Sequence, residues 1–246
     1  MTRSSPLFLI LMIGFSCGLA GQSLTGVTGM LNAPSANMLK DGTFYAGANF
    51  LNKDYLKDFV GGKYNCLIYY FDITFLPFLE VNFRNTRQLD NPDHTHTVDR
   101  MLSARLRVLK ERKYWPSIVL GGHDIATTST RGNQYFGAAY LVLSKNIELK
   151  KNVIGGTIGY AYPLFRQNQF EGFFGGISFS PFFLRQLTLM VEYDSKYFNI
   201  GGSVLFFKHL YILGVFQGMK SFSGGIAYRV SAFSGFKKKN SQQGLP

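Results

Sequence analysis

The side chains able to do chemistry are few, and they fall into three groups. NPDHTHT places His94 and His96 one residue apart, with Asp90, Asp93 and Asp99 close by. An H-x-H pair can bind a metal, but no cysteine or histidine cluster completes a coordination sphere, so a solvated loop is expected and no metal is assigned. GGHDIATTS offers His123 and Asp124 beside Ser129, the residue types of a nucleophilic triad. The G-x-S-x-G signature is absent, however, and three residue types in one loop do not establish a geometry. Glu80, Glu192 and Asp194 could serve as paired carboxylates, yet the same kinds of window carry Arg84, Arg105, Arg107 and Arg229. Pairing between these charges is the expected role, because charges enclosed together need partners. No catalytic residue and no cofactor is assigned.

A fourth stretch, TGVTGMLNAPSANMLKDG, is rich in small residues and holds Gly26, Gly29, Pro34, Asp41 and Gly42. A P-loop needs G-x-x-x-x-G-K-[ST], and a dinucleotide fingerprint needs G-x-G-x-x-G between strand and helix. Neither spacing occurs. Pro34 and a strand pattern starting at Thr43 follow where a helix would have to begin.

The charged residues sit in windows that alternate with period two. LEVNFR sets Leu79, Val81 and Phe83 against Glu80, Asn82 and Arg84, and MLSARLRVL sets Leu102, Ala104, Leu106 and Val108 against Ser103, Arg105 and Arg107. LTLMVEYD divides Leu187, Leu189, Val191 and Tyr193 from Thr188, Met190, Glu192 and Asp194. FSGGIAYRVSA puts Phe222, Ile226, Tyr228 and Val230 opposite Ser223, Ala227, Arg229 and Ser231. Helical spacing would scatter these residues around the axis, so each window reads as a strand. In a soluble sandwich the charged face meets water; in a transmembrane barrel the apolar face meets lipid and the polar face lines the lumen.

Composition separates the two. Aromatic residues make up 16% of the chain and charged residues only 16%, against about 25% charged in soluble domains. Much of the surface must therefore be apolar, which calls for a large partner or a lipid solvent. Arg3, the apolar run at 7–15 and the small residues Gly18 and Ala20 give the pattern of a secretory signal with cleavage near Ala20. Lipoprotein processing at Cys17 is the alternative, although Gly14, Phe15 and Ser16 make a poor lipobox. Cys66 is then the one cysteine expected in the mature chain, so no internal disulfide is expected. After the leader no window approaches a transmembrane helix, and closed barrels are the other structure able to span hydrocarbon.

Strands are expected at roughly 43–51, 63–75, 79–85, 100–109, 117–124, 135–144, 153–161, 170–179, 187–194, 198–206, 210–217 and 221–232, with boundaries good to about two to four residues. The fold class is all-β: a transmembrane antiparallel up-and-down β-barrel of about 12 strands, within a range of about 10–14. Residues 1–20 form the signal peptide, 21–42 a Gly/Pro-rich segment at the barrel mouth or in the lumen, 43–233 the barrel, and 234–246 a basic flexible tail. Short and long connections alternate, which assigns the short set and both termini to the periplasm and the chain to the outer membrane of a Gram-negative cell. Lys110, Arg112, Lys113, Lys145, Lys150, Lys151, Arg185 and Lys208 all fall on the short side, so much of the net +12 forms a basic collar. With Tyr114, Trp115, Phe182, Phe183, Phe207 and Tyr211 it would form an interfacial girdle suited to anionic head groups. Lysines also occupy solvated turns for no further reason, and the pattern does not separate the two. Nucleic acid is not an expected partner, because the basic residues occupy turns and form no groove.

The segment TGVTGMLNAPSANMLKDGTFYAG, with its G-x-x-x-x-P-x-A-x-x-x-x-D-G spacing, resembles the start of the YjbH-like outer-membrane proteins. FLPFLEVNFR, DRMLSARLRVLKERKYWPSIVLGGHDI and EYDSKYFN follow in the same order as in that family. The resemblance implies an outer-membrane barrel associated with exopolysaccharide production or export, as a pore or an assembly component, with polysaccharide and periplasmic pathway proteins as partners. A non-conducting barrel that anchors partners through its basic periplasmic turns is the alternative. The expected lumen lining is Glu80, Arg84, Arg105, Arg107, Glu192 and Arg229.

Overall fold

A computed structural model describes residues 20–55, 64–90, 98–126, 136–164 and 170–232. The leader through residue 19, Asp93, His94, His96, Ser129 and the basic tail lie outside the described residues.

A short hairpin comes first, β1 (Gly21–Gln22) and β2 (Thr28–Gly29), followed by twelve long strands. These are β3 (Thr43–Leu51), β4 (Cys66–Phe75), β5 (Leu79–Gln88), β6 (Val98–Leu109), β7 (Ser117–His123), β8 (Ala138–Leu149), β9 (Asn152–Pro163), β10 (Gly172–Ser180), β11 (Leu187–Tyr193), β12 (Phe198–Phe206), β13 (Leu210–Gln217) and β14 (Ser221–Ser231). Each pairs antiparallel with its neighbours in sequence, and β14 pairs with β3, with Thr43 opposite Ser231, to close a twelve-stranded barrel. The alternating windows dictate this arrangement, since each strand must show two chemically different faces along its whole length.

The two faces are sorted in the opposite sense to a soluble core. Phe71, Leu106, Val108, Ile158, Phe173, Ile177, Val191 and Phe198 are exposed on the outside, whereas Asp72, Glu80, Asn82, Arg84, Arg105, Glu192 and Asn199 are buried within. Among the described residues no helix is long and apolar enough to cross a membrane.

The barrel has two unlike rims. The turn rim carries the connections at 76–78, 110–116, 181–186 and 207–209, the two-residue turn of Lys150 and Lys151, and both ends of the barrel chain. The loop rim carries the connections after β3, β5, β7, β9, β11 and β13.

One strand end, that of β8, lies beyond the expected margin of about two to four residues. The expectation ended β8 at 144 and gave 145–152 to a loop, but β8 runs on to Leu149 and pairs it with Asn152. The charges of Ser-Lys-Asn-Ile-Glu-Leu suggest a loop, yet Ile147 and Leu149 continue the exposed apolar phase of the strand. Lys145 therefore lies within the strand, bonded to Glu111 and to the Arg112 carbonyl. The tight turn that follows has φ of 48° at Lys150 and 70° at Lys151. This is the left-handed region that two-residue hairpins favour and that glycine or asparagine fills at least cost.

Residues 20–42 occupy the inside of the barrel, and from Gln22 to Ser35 every residue is buried. The segment starts near Tyr211 at the foot of β13, rises to Glu192 near the top of β11, and returns to Gly42 beside Thr74 on β4. It is a plug that enters and leaves by the turn rim.

Candidate functional site in the barrel lumen

The plug has little regular structure beyond its two-residue strands, so its buried backbone groups must find partners elsewhere. Polar side chains on the inward phase of the barrel wall supply them. Tyr211 Oη donates to the Gln22 carbonyl at 2.8 Å, Asn49 Nδ2 to the Leu24 carbonyl at 2.9 Å, and Asn82 Nδ2 to the Gly26 carbonyl at 2.7 Å. The Thr28 amide donates to Glu80 Oε1 at 2.8 Å. At the top of the plug the amides of Leu31, Asn32 and Ala33 all converge on the Glu192 carboxylate, and Asn32 Nδ2 reaches Asp194 at 3.0 Å. On the way down, the Ala36 amide donates to Ser144 Oγ and the Ala36 carbonyl accepts from Ser117 Oγ, both at 2.8 Å. Asn146 Nδ2 then holds Asn37 Oδ1 at 2.9 Å.

The glycines and Asp41 of the Gly/Pro-rich motif have positions that explain their types. Gly26 has φ +85°, and a Cβ there would lie 2.6 Å from the Tyr70 ring. Gly29 pairs with Gly21 and bridges to Pro34, and its missing Cβ would fall 2.5 Å from the Ala33 carbonyl. Asp41 Oδ1 accepts the Leu76 amide at 2.8 Å, and Gly42, at φ +69°, donates to the Thr74 carbonyl at 2.9 Å. Asp41 and Gly42 thus fix the point where the plug becomes the first barrel strand.

The arginines divide by depth. Arg105 Nη1 lies 2.8 Å from both oxygens of Glu80, the pair wholly enclosed, and Arg105 Nη2 bonds the Ser35 carbonyl of the plug. Arg84 is also enclosed, at 1% exposure. Its guanidinium sits 4.7 Å from the centre of the Phe136 ring, with Nη2 at 3.0 Å from Met101 Sδ; its Nε and Nη1 have no hydrogen-bond partner among the described residues. Arg107 and Arg229 share the inward phase but stand at the turn rim, half-buried. Arg107 bonds the Pro77 carbonyl in the β4–β5 turn, and the Arg229 backbone bonds His209.

His123 is buried with Nδ1 at 3.2 Å from Ser103 Oγ, its ring against Tyr140 and Phe170. Asp124 does not orient this imidazole: neither carboxylate oxygen has a hydrogen-bond partner among the described residues. Burial raises the Asp124 carboxyl above its ordinary range, and the charge of Arg84 opposes that rise. Asp90 accepts a bond from Asn65, and Asp99 stands opposite Thr86 near the loop-rim end of β6.

Apart from Lys145, which lies within β8, the basic residues of the collar occupy the turn rim. Lys110, Arg112 and Lys113 lie in the connection at 110–116, with the Lys113 ammonium 5.3 Å from the Tyr114 ring centre. Lys150 and Lys151 are exposed in their turn, and Arg185 approaches Glu148 at 3.7 Å. Trp115 and Phe207 project beside them, 65% and 81% exposed.

Several wall residues that hold the plug are absent from the expected lining: Asp72, Asn49, Asn82, Ser117 and Ser144. Their signal is a single polar residue on one phase of an apolar window, as with Asp72 in CLIYYFDITF.

No curated protein matches the chain at a significant level. Residues 21–163 match the family model YjbH, described as Exopolysaccharide biosynthesis protein YbjH. The matched span begins with the plug and ends with the last residue of β9, so it contains Glu80, Arg84, Arg105 and the whole motif from Gly26 to Gly42. It covers more than half of the 246 residues and points to a role connected with exopolysaccharide. The chain belongs to the YjbH family.

Proposed function

We propose that this protein is an exported outer-membrane β-barrel that serves exopolysaccharide production as an assembly component, its lumen closed by its own N-terminal segment. The observation that carries the reading is the plug: residues 22–35 are buried inside the barrel and tied to the wall from both sides. A polymer has no path through a lumen filled in this way. The membrane assignment is supported by the apolar outer face and by the rim of aromatic and basic residues around Trp115, Phe207, Lys113 and Lys150. With the turn rim in the periplasm, the collar of Lys110, Arg112, Lys113, Lys150, Lys151 and Arg185 faces anionic lipid head groups and acidic surfaces of periplasmic partners.

Fractionation tests the location, and planar-bilayer conductance tests the closed state. The full-length protein is expected in the outer membrane and silent in the bilayer. Recovery of the mature chain as a soluble protein without detergent would sink the membrane reading, and a steady open pore would sink the closed barrel.

A second reading, a pore that opens when the plug withdraws, is favoured by one feature. Many of the contacts that hold the plug are hydrogen bonds to its backbone, which water can replace. Deleting residues 25–39 discriminates: a pore that acidic glycans then block favours export through the lumen, and a silent deletion variant favours the assembly role.

A further inference from the structure

The outer wall of the barrel holds a recess of about 950 Å³, lined by residues of β10 to β14. Strand pairing explains it. Leu189, Gly202, Gly214 and Gly224 are partners in turn across β11, β12, β13 and β14, on the outward phase of those strands. Directly opposed residues point to the same face of a sheet, so three successive strands lack a side chain at one level of the wall. Gly202 and Gly214 form the floor, with Ile200 and Phe216 on one side and Val204 on the other. Phe179 and Leu189 stand at one end, and at the other the Phe222 ring leans over Gly214 and Gly224, 3.6 and 3.3 Å from where their Cβ atoms would lie. From β11 to β14 is three strand spacings, about 14 Å.

The side chains around the recess are aliphatic and aromatic, so they give ordered water nothing to bond. Left empty, the lining would lose dispersion contacts on one side. A second copy of the barrel brings a convex wall, which meets the edges of the recess before its floor. A flexible hydrocarbon chain reaches the floor.

Charge at one end completes the fit. Phe179 and Leu187 line the recess on either side of the connection at 181–186, and Arg185 stands in that connection two residues before Leu187. Arg185 Nη2 reaches the Lys151 carbonyl at 3.5 Å, which sets it beside the turn of Lys150 and Lys151. Glu148 approaches the same guanidinium at 3.7 Å, so three cations stand against one carboxylate and the excess is positive. We propose that the recess holds one acyl chain of an anionic phospholipid, whose phosphate sits on Arg185 and Lys151 at the turn rim. The inference rests on the reading of the barrel as a membrane protein with lipid head groups at that rim.

Native mass spectrometry tests it on the full-length protein in detergent micelles, equilibrated with phosphatidylglycerol or with phosphatidylethanolamine of the same chains. One phosphatidylglycerol per barrel is expected to survive activation that strips all other lipid, with several-fold higher occupancy than phosphatidylethanolamine. Gly214→Leu fills the recess, and its Cβ meets the Phe222 ring at 3.6 Å, an ordinary contact that leaves the barrel folded. The retained lipid should fall several-fold. Gly156→Leu, which adds the same side chain to the outer face of β9 where its Cβ meets no atom within 4 Å, should leave retention unchanged. The double variant Lys151→Ala, Arg185→Ala should erase the preference between the two head groups. A wild type that holds no lipid more firmly than the rest overturns the site, as does retention indifferent to Gly214→Leu. A dimer that dissociates in Gly214→Leu would make a second copy the occupant and overturn the lipid. Equal retention of the two lipids by wild type overturns the phosphate assignment. A chain that stays soluble without detergent fails the membrane reading before any lipid is added, so the two failures are distinct.

Discussion

Both carboxylate oxygens of Glu192 accept the backbone amide of Asn32, at 2.9 and 3.1 Å. The neighbouring amides of Leu31 and Ala33 join on Oε2 at 2.9 and 3.1 Å, so one wall side chain satisfies three successive donors of the plug. An exposed loop could give such donors to water; a loop buried in a lumen depends on the wall for them.

Removing that acceptor should therefore loosen the top of the plug. Each buried amide left without a partner costs about 1–3 kcal/mol, so Glu192→Ala is expected to destabilise by at least roughly 3 kcal/mol. Glu192→Gln keeps one oxygen acceptor and should fall between Ala and wild type. Urea unfolding midpoints measure the series, and a loss below about 1 kcal/mol for the Ala variant would show that the three bonds contribute little.

The Arg105–Glu80 pair makes a different prediction. Breaking a buried ion pair from one side costs about 3–5 kcal/mol, because the remaining charge stays enclosed without its partner. Arg105→Met should show that loss. The double variant Arg105→Met, Glu80→Gln should recover a good part of it, since Gln retains an oxygen for the Thr28 amide. A double-mutant cycle in denaturant gives the coupling, and additive losses would contradict a paired charge.

Gly26 tests how tightly the hairpin loop fits. A side chain there meets both a left-handed backbone, which costs about 1–2 kcal/mol for a residue other than glycine, and the Tyr70 ring 2.6 Å away. Gly26→Ala is expected to cost about 2 kcal/mol or more. Gly156→Ala, where no atom lies within 4 Å of the new Cβ, should change stability by less than about 1 kcal/mol in either direction. Comparable losses at both positions would mean that the plug does not press on Tyr70.

The turn at Lys150 and Lys151 is the place where a substitution should stabilise. Two lysines there adopt positive φ, at 48° and 70°. Replacing them with Asn-Gly, the preferred pair of such hairpins, should raise stability by about 1 kcal/mol or more. Thermal melts of Lys150→Asn, Lys151→Gly and the pair would show it, with Lys151→Gly giving the larger share. A fall in melting temperature would mean that the two charges stabilise the rim more than the turn geometry strains it.

The barrel was legible in the sequence because each strand separates two media, and a period of two over seven to twelve residues is hard to produce otherwise. Phase, however, reports the face and not the depth. Arg107 and Arg229 share the inward phase of Arg105 and Ala227, yet they stand at the rim, because nothing in a local window says how far along the strand the lumen is filled. The path of the plug was less legible still. Its contacts with Glu192 span 160 residues of chain and are made by backbone amides, which leave no trace in residue type. What the sequence did carry was the local consequence, glycines where Tyr70 and the Ala33 carbonyl approach the chain. Asp72 illustrates the remaining difficulty, since one aspartate among Tyr, Phe and Ile reads as an interruption until its partner Gln22 is in place.

Because the plug precedes β3 in the chain, while its upper anchor lies on β11, the order of synthesis and the order of completion are opposed. The rising and descending arms of the plug bond to Asn49, Glu80, Asn82, Ser117 and Ser144 on β3 to β8, whereas its tip depends on Glu192 and Asp194, which come much later in the chain. The last seam, between β14 and β3, closes beside the residues where the plug leaves the lumen, with the Ala232 amide on the Gly42 carbonyl at 2.8 Å. The barrel thus closes around a mandrel made from the residues that precede its first strand, and one stretch of chain serves both the plug's exit and the final seam.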